Sequence, residues 1–213
     1  SAIPVPDIAS YHRARYSANN IVVAAAGNVD HDEILAMAEK LAPGTGSGEE
    51  TLVPQVPDPA GRLEFAVKDT EQYHVCIGAP GINRADERRF GLAVLDSILG
   101  GSSSSRLFIE VREKRGLAYS VGTYSEQFTD TGVVATYVGT REDNVEEACE
   151  VIGTELKRIQ CEPVTAEELD RAKEHVKGRL VLSGESTAAR MSRIARAVLH
   201  DLPLLSLDEM LAR

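Results

Sequence analysis

Apolar positions along the chain follow two rhythms, one close to every second residue and one close to every third or fourth. The first rhythm predicts strands at "RLEFAVK" (62–68) and "QYHVCIGAP" (72–80), and over 117–127 and 132–139, and the continuous apolar run of "NIVVAAAGN" (20–28) predicts a strand ahead of them. The strands over 117–127 and 132–139 are joined around Asp130-Thr131-Gly132, and the one at 20–28 reads as a buried strand ending in a Gly-Asn turn. The second rhythm predicts helices. A short one carries Ile8, Tyr11 and Tyr16 with Asp7 as its cap, and another runs from the Asp30/Glu33 capping box to about Leu41. Further helices are expected over 84–99, at "RLFIEVREKR" up to Gly116, and over 144–160. Thr165 and Glu168 form a capping box for a helix over 166–183, helix continues through 187–200, and Ser206 with Glu209 opens a last one. Strand pairs followed by helix pairs predict an α+β fold of two layers, a mostly antiparallel sheet with helices packed on one face.

Both rhythms stop between residues 43 and 61, where four of the nine prolines and four glycines fall. Pro-rich segments act as semi-rigid spacers, so 46–61 is expected to be a linker between residues 1–45 and 62–213. The opening unit of helix, strand and helix is too small for a complete domain. A chain that stops just after a capping box is expected to leave its second domain unfinished as well.

Composition narrows the class. At 213 residues and 43% apolar content the chain can bury a sizeable core, and with no Trp and 5% aromatics that core is aliphatic and rich in Ala. A net charge of −10 argues against nucleic acid, because neutralising phosphates requires basic patches. Cys76, Cys149 and Cys161 are odd in number and lack C-x-x-C spacing, so the sequence supports neither a disulfide framework nor a thiolate metal site. They are expected as small core residues in a reducing compartment, which with the absence of a signal-peptide pattern or membrane-length apolar run points to the cytoplasm.

Candidate chemistry is sparse. The five histidines never form H-E-x-x-H or H-x-x-E-H; beside Glu174-His175 the place of the first His is taken by Arg171. "ILGGSSSSRLF" (98–108) is a Gly/Ser-rich loop ahead of a helix, a type that can cradle phosphate. It lacks the P-loop Lys-Ser/Thr ending, and a helix break with Ser caps is the plainer account. "REKRGLAYSV" (112–121) places Arg112 and Tyr119 either side of the stop at Gly116. Arg is always charged and a Tyr hydroxyl is neutral, so the two could donate to a peptide carbonyl becoming an oxyanion. A helix-dipole Arg beside a half-buried strand Tyr fits the residues equally well.

"YHRARYSANNIVVAAAGNVDHDEI" followed by "ILGGSSSSRLFIEVREKRGLAYSV", "DTGVVATYVGT" and "ELDRAKEHVKGRLVLSGESTAARMSRIAR" resembles the inverzincin metallopeptidases of the pitrilysin/insulinase family, in particular the bacterial processing-peptidase-like branch. One departure is "GGSSSSRLF", which lacks the Met that relatives carry just before the Ser-Ser-Arg. The resemblance implies a molecule of two similar α+β halves closing around an unfolded peptide, the first holding zinc through H-x-x-E-H. It implies that this chain begins after that motif, so zinc would be bound by residues outside it and by none within it. The second half contributes an Arg and a Tyr that reach the substrate, and these match Arg112 and Tyr119. The implied activity is a zinc metalloendopeptidase acting on peptides or presequence-like segments held in extended form. A non-catalytic peptide-binding or scaffold homologue is the alternative. Expected partners are the peptide, the missing N-terminal half and a second copy in a homodimer, with neither nucleic acid nor membrane.

Overall fold

The computed structural model describes residues 3–41 and 61–213. The expected linker, 46–61, therefore lies outside the described residues except for Gly61. The chain divides into two compact units, Ser1–Gln55 with Val181–Leu207 and Val56–Leu180 with Asp208–Arg213.

The first unit contains α1 (Val5–Arg15) and α2 (His31–Leu41). Pro4, not Asp7, is the N-cap residue of α1, and no side chain caps it. Proline's fixed φ starts the helix before Asp7, which falls in the first turn and favours the dipole from there. Asp30 does cap α2, its Oδ1 accepting from the backbone N–H of Asp32 at 3.0 Å and of Glu33 at 3.1 Å. The expected strand at 20–28 is not formed. Ala18–Asn20 makes a single 3₁₀ turn, residues 21–26 belong to no strand, and Ile21 and Val23 are exposed. A continuous apolar run suits a buried strand, but a strand also needs a neighbour for its N–H and C=O groups, and among the described residues none pairs here.

The second unit is built on three antiparallel strands, β1 (Tyr73–Pro80), β2 (Ala118–Gln127) and β3 (Gly132–Thr140), in the order β1-β3-β2. Val138 in the central strand sits opposite Val75 on one side and Val121 on the other. These valines face the helices, where α3 (Arg89–Leu99) supplies Leu99 and α4 (Val145–Cys161) supplies Ala148 and Ile152 to one apolar cluster. Val138, Ala148 and Ile152 have no solvent exposure. A fully buried Val or Ile of this kind contributes about 1.5–3 kcal/mol. The α+β arrangement expected from the sequence is the one observed.

Three local expectations fail for identifiable reasons. Residues 62–68 form no strand, since they pair with none among the described residues, and Leu63, Phe65 and Val67 lie exposed. Helix α3 begins at Arg89 rather than at 84, because Asn83 and Asp86 side chains capture the N–H groups of Ala85 and Arg88 in turns. Cys76 and Cys161 are exposed rather than buried: Cys76 sits beside Val75 on the opposite face of β1, and Cys161 ends α4.

The Thr165/Glu168 box is present in both directions, Thr165 N–H to Glu168 Oε2 at 3.1 Å and Glu168 N–H to Thr165 Oγ1 at 3.2 Å. It opens α5 (Ala166–Gly184), after which α6 (Thr187–Leu199) is capped by Ser186 and α7 (Leu207–Leu211) comes last. Glu168 also takes a forked pair from Arg106, Nε to Oε1 at 2.8 Å and Nη2 to Oε2 at 3.0 Å. The Arg106 hydrogen bonds, helped by the Thr165 N–H, hold the Glu168 carboxyl below its ordinary 4.5, at about 2. A depressed folded-state value means that this stabilisation is complete above pH about 4.5 and is lost as the pH falls towards 2. Glu168→Gln should lower stability by about 1–2 kcal/mol at pH 7, the worth of charge-assisted hydrogen bonds discounted for the partial exposure of the pair. It should also flatten the loss of stability between pH 4.5 and 2. Urea unfolding across that range checks both, and parallel curves for the two proteins would count against the pair.

Candidate functional site

The segment after α3 is shaped by close packing at Gly100, where a Cβ would collide with the backbone nitrogen of Thr123 in β2. Ser105, 1% exposed, then accepts from the Phe108 N–H at 3.4 Å. "GGSSSS" is thus a helix break with a Ser cap, the plainer of its two sequence readings.

Directly after this break the chain makes a π-helical turn, Phe108–Glu113, where an α-helix was expected. The Lys114 N–H reaches the Ile109 carbonyl at 2.9 Å, and the Leu117 N–H reaches that of Val111 at 2.9 Å. Widened turns of this kind occur mostly as short pieces and often at functional sites. Leu107 and Val111, four residues apart, are fully buried and fix the inner face. Phe108 and Arg112 repeat that spacing one residue later and are half-buried. Gly116 stops the segment in the left-handed region at φ 61°, as its position predicts.

Beyond it, β2 starts with an irregularity. Ala118 pairs with Thr140 and Ser120 with Gly139, which leaves Tyr119 as an extra residue without a strand partner. A bulge re-aims a side chain, and Tyr119 is 77% exposed. Its carbonyl is taken by Arg112 Nη1 at 2.9 Å. The Arg112 guanidinium carbon lies 4.4 Å from the centroid of the Tyr119 ring and 4.8 Å from that of Phe108. Such contacts are worth about 0.5–1 kcal/mol each at exposed sites.

The structure therefore brings Arg112 and Tyr119 into direct contact, with a π-turn on one side and a bulge on the other. The neighbouring cations do not share this role. Glu110 binds Lys114 at 2.6 Å and Arg115 at 2.5 Å, and those two bonds hold its carboxyl below the usual range. Sequence reasoning missed Phe108 and Glu110; their spacing of four residues to Arg112 and Lys114 is the signal that could have found them. Among the described residues no three His, Cys, Asp or Glu side chains are grouped to hold a metal ion. These residues do not fit zinc, and no step through a metal is assigned to them. Among them, too, no helix is long and apolar enough to cross a membrane.

Comparison with known proteins identifies the class. The family model described as the peptidase M16 inactive domain matches residues 2–176, and the chain belongs to that family. It is 40% identical to an uncharacterised zinc protease of Streptomyces coelicolor, over 100% of this chain and 48% of that protein. It is 36% identical to the uncharacterised zinc protease YmxG of Bacillus subtilis, over 86% of this chain and 44% of that one. The chain thus spans about half the length of the curated relatives it matches. The crystal structure of a peptidase M16 inactive domain from Pseudomonas fluorescens superposes with a TM-score of 0.82 at 25% identity, covering 99% of this chain and 51% of that one. A protease from Helicobacter pylori shares the fold, with a TM-score of 0.81 at 20% identity over 99% of this chain and 55% of that one. The pitrilysin/insulinase resemblance read from the sequence is the family found.

Gly116→Ala tests how firmly the corner is held. A Cβ there meets nothing within 4 Å, so the whole cost is the left-handed backbone. The expected destabilisation is about 1–2 kcal/mol by chemical denaturation, and a neutral substitution would mean that the turn relaxes out of this conformation.

Proposed function

We propose that the chain is the half of a zinc metalloendopeptidase that carries no metal, and that it cooperates with a zinc-bearing half to cleave peptides held in extended form. The zinc-protease names of its relatives and the M16 match support peptidase chemistry in the longer protein. The observation that carries the reading is the corner itself: a π-turn and a β-bulge converge to expose a Tyr ring and hydroxyl against an Arg. Bulges and π-turns disturb regular hydrogen bonding and are found next to active sites. Tyr119 Oη and the guanidinium are donors without basic character at working pH, suited to a substrate carbonyl as it gains negative charge. The partners are then an extended peptide and the zinc-bearing half, and the compartment is the cytoplasm.

Tyr119→Phe removes the hydroxyl alone. In the two-half protein it should lower turnover of a quenched peptide about 10²–10³-fold with little change in KM, as expected when one oxyanion donor is lost. Its thermal midpoint should stay where it is, because the hydroxyl has no hydrogen-bond partner among the described residues. Turnover per zinc that matched the parent would overturn the assignment of Tyr119, whereas a parent two-half protein without turnover would favour the non-catalytic, peptide-binding homologue.

A further inference from the structure

We infer that Phe108 is a positioning residue, whose ring fixes the orientation of the Arg112 guanidinium at the substrate-facing corner. The inference rests on the reading of Arg112 and Tyr119 as the residues that face the peptide, and extends it to a side chain that acts through Arg112.

Arg112 has four rotatable side-chain bonds and sits at a half-exposed position. Its hydrogen bond from Nη1 to the Tyr119 carbonyl pins one nitrogen and leaves rotation about that contact open. Two aromatic faces limit that rotation, Phe108 from the π-turn and Tyr119 from the bulge. They differ in rigidity. Tyr119 is mostly exposed on an irregular stretch, whereas Phe108 comes directly after the fully buried Leu107. Leu107 is in turn next to Arg106, anchored to Glu168. Phe108 is therefore the fixed wall against which the guanidinium rests. Nη2 and Nε keep no hydrogen-bond partner among the described residues, so the N–H groups left to meet a carbonyl or carboxylate are the ones whose direction the ring determines. Displacement by about 1 Å from productive geometry can cost about 10²-fold in rate.

The test compares Phe108→Leu, which keeps apolar bulk without a π face, with Phe108→Tyr, which keeps the ring. Both are made in the two-half protein, and Phe108→Leu is also placed in an Arg112→Ala background. Phe108→Leu should lower kcat about 5- to 20-fold with KM nearly unchanged, and Phe108→Tyr should restore it. With Arg112 gone, Phe108→Leu should change kcat no further, since coupled residues are not additive. Independently of activity, the NMR signal of the Arg112 Nε–Hε group should move in Phe108→Leu, as the Phe108 share of its ring-current displacement is lost beside the remaining Tyr119 share, and return in Phe108→Tyr. A signal unmoved by Phe108→Leu, or an equal loss of kcat with and without Arg112, overturns the inference. The site reading fails separately: normal turnover in Tyr119→Phe, together with a moved Arg112 signal, would leave Phe108 orienting Arg112 at a corner that does no chemistry.

Discussion

Leu107 and Val111 are withdrawn from solvent four residues apart, in one cluster with Val138, Ala148 and Ile152, and the exposed corner depends on that burial. Two apolar side chains with no exposure tie the π-turn to the helix-facing side of the sheet. Removing either would open a cavity at a cost of about 2–5 kcal/mol for the larger one. The next residue along in each case, Phe108 and Arg112, is half-buried, and there the two side chains stack on one another. A rigid inner face thus produces a defined outer one. The Arg106–Glu168 fork adds a second attachment from the start of the segment to the first turn of α5.

Much of this was legible in the sequence, and the losses have physical causes. The cap at Asp30, the capping box at Thr165 and the left-handed stop at Gly116 were readable because each depends on residues within a few positions. β1, β2 and β3 were readable because their alternation coincides with real partners. The apolar run at 20–28 and the alternation at 62–68 gave strands that the structure lacks, since pattern reports which residues are apolar and not whether an edge is waiting. The π-turn was invisible because apolar residues four apart suit an α-turn as well. Tyr119 and Arg112 could be picked out, but their contact could not, because it needs both the wide turn and the bulge.

The relatives' names and the charges of this chain bear on different parts of the chemistry. Relatives about twice as long bear the name zinc protease, while the described residues of this chain assemble no metal-binding group. Two acidic groups of the chain serve its structure. Glu110 and Glu168 are each held ionised by arginine or lysine partners.

The bulge in β2 has a consequence for what the sheet needs. Ala118 and Val121 both face the core, opposite Thr140 and Val138, although they stand three residues apart. An unbroken pleat returns to the same face after two residues, so the extra one is absorbed by the irregularity at Tyr119. Delete Tyr119 in thought, and Ala118 and Val121 fall into register as a plain strand, each still facing inward. The sheet would close without it. Tyr119 is a passenger of the architecture, so whatever keeps an aromatic ring at that point lies outside the pairing of the strands.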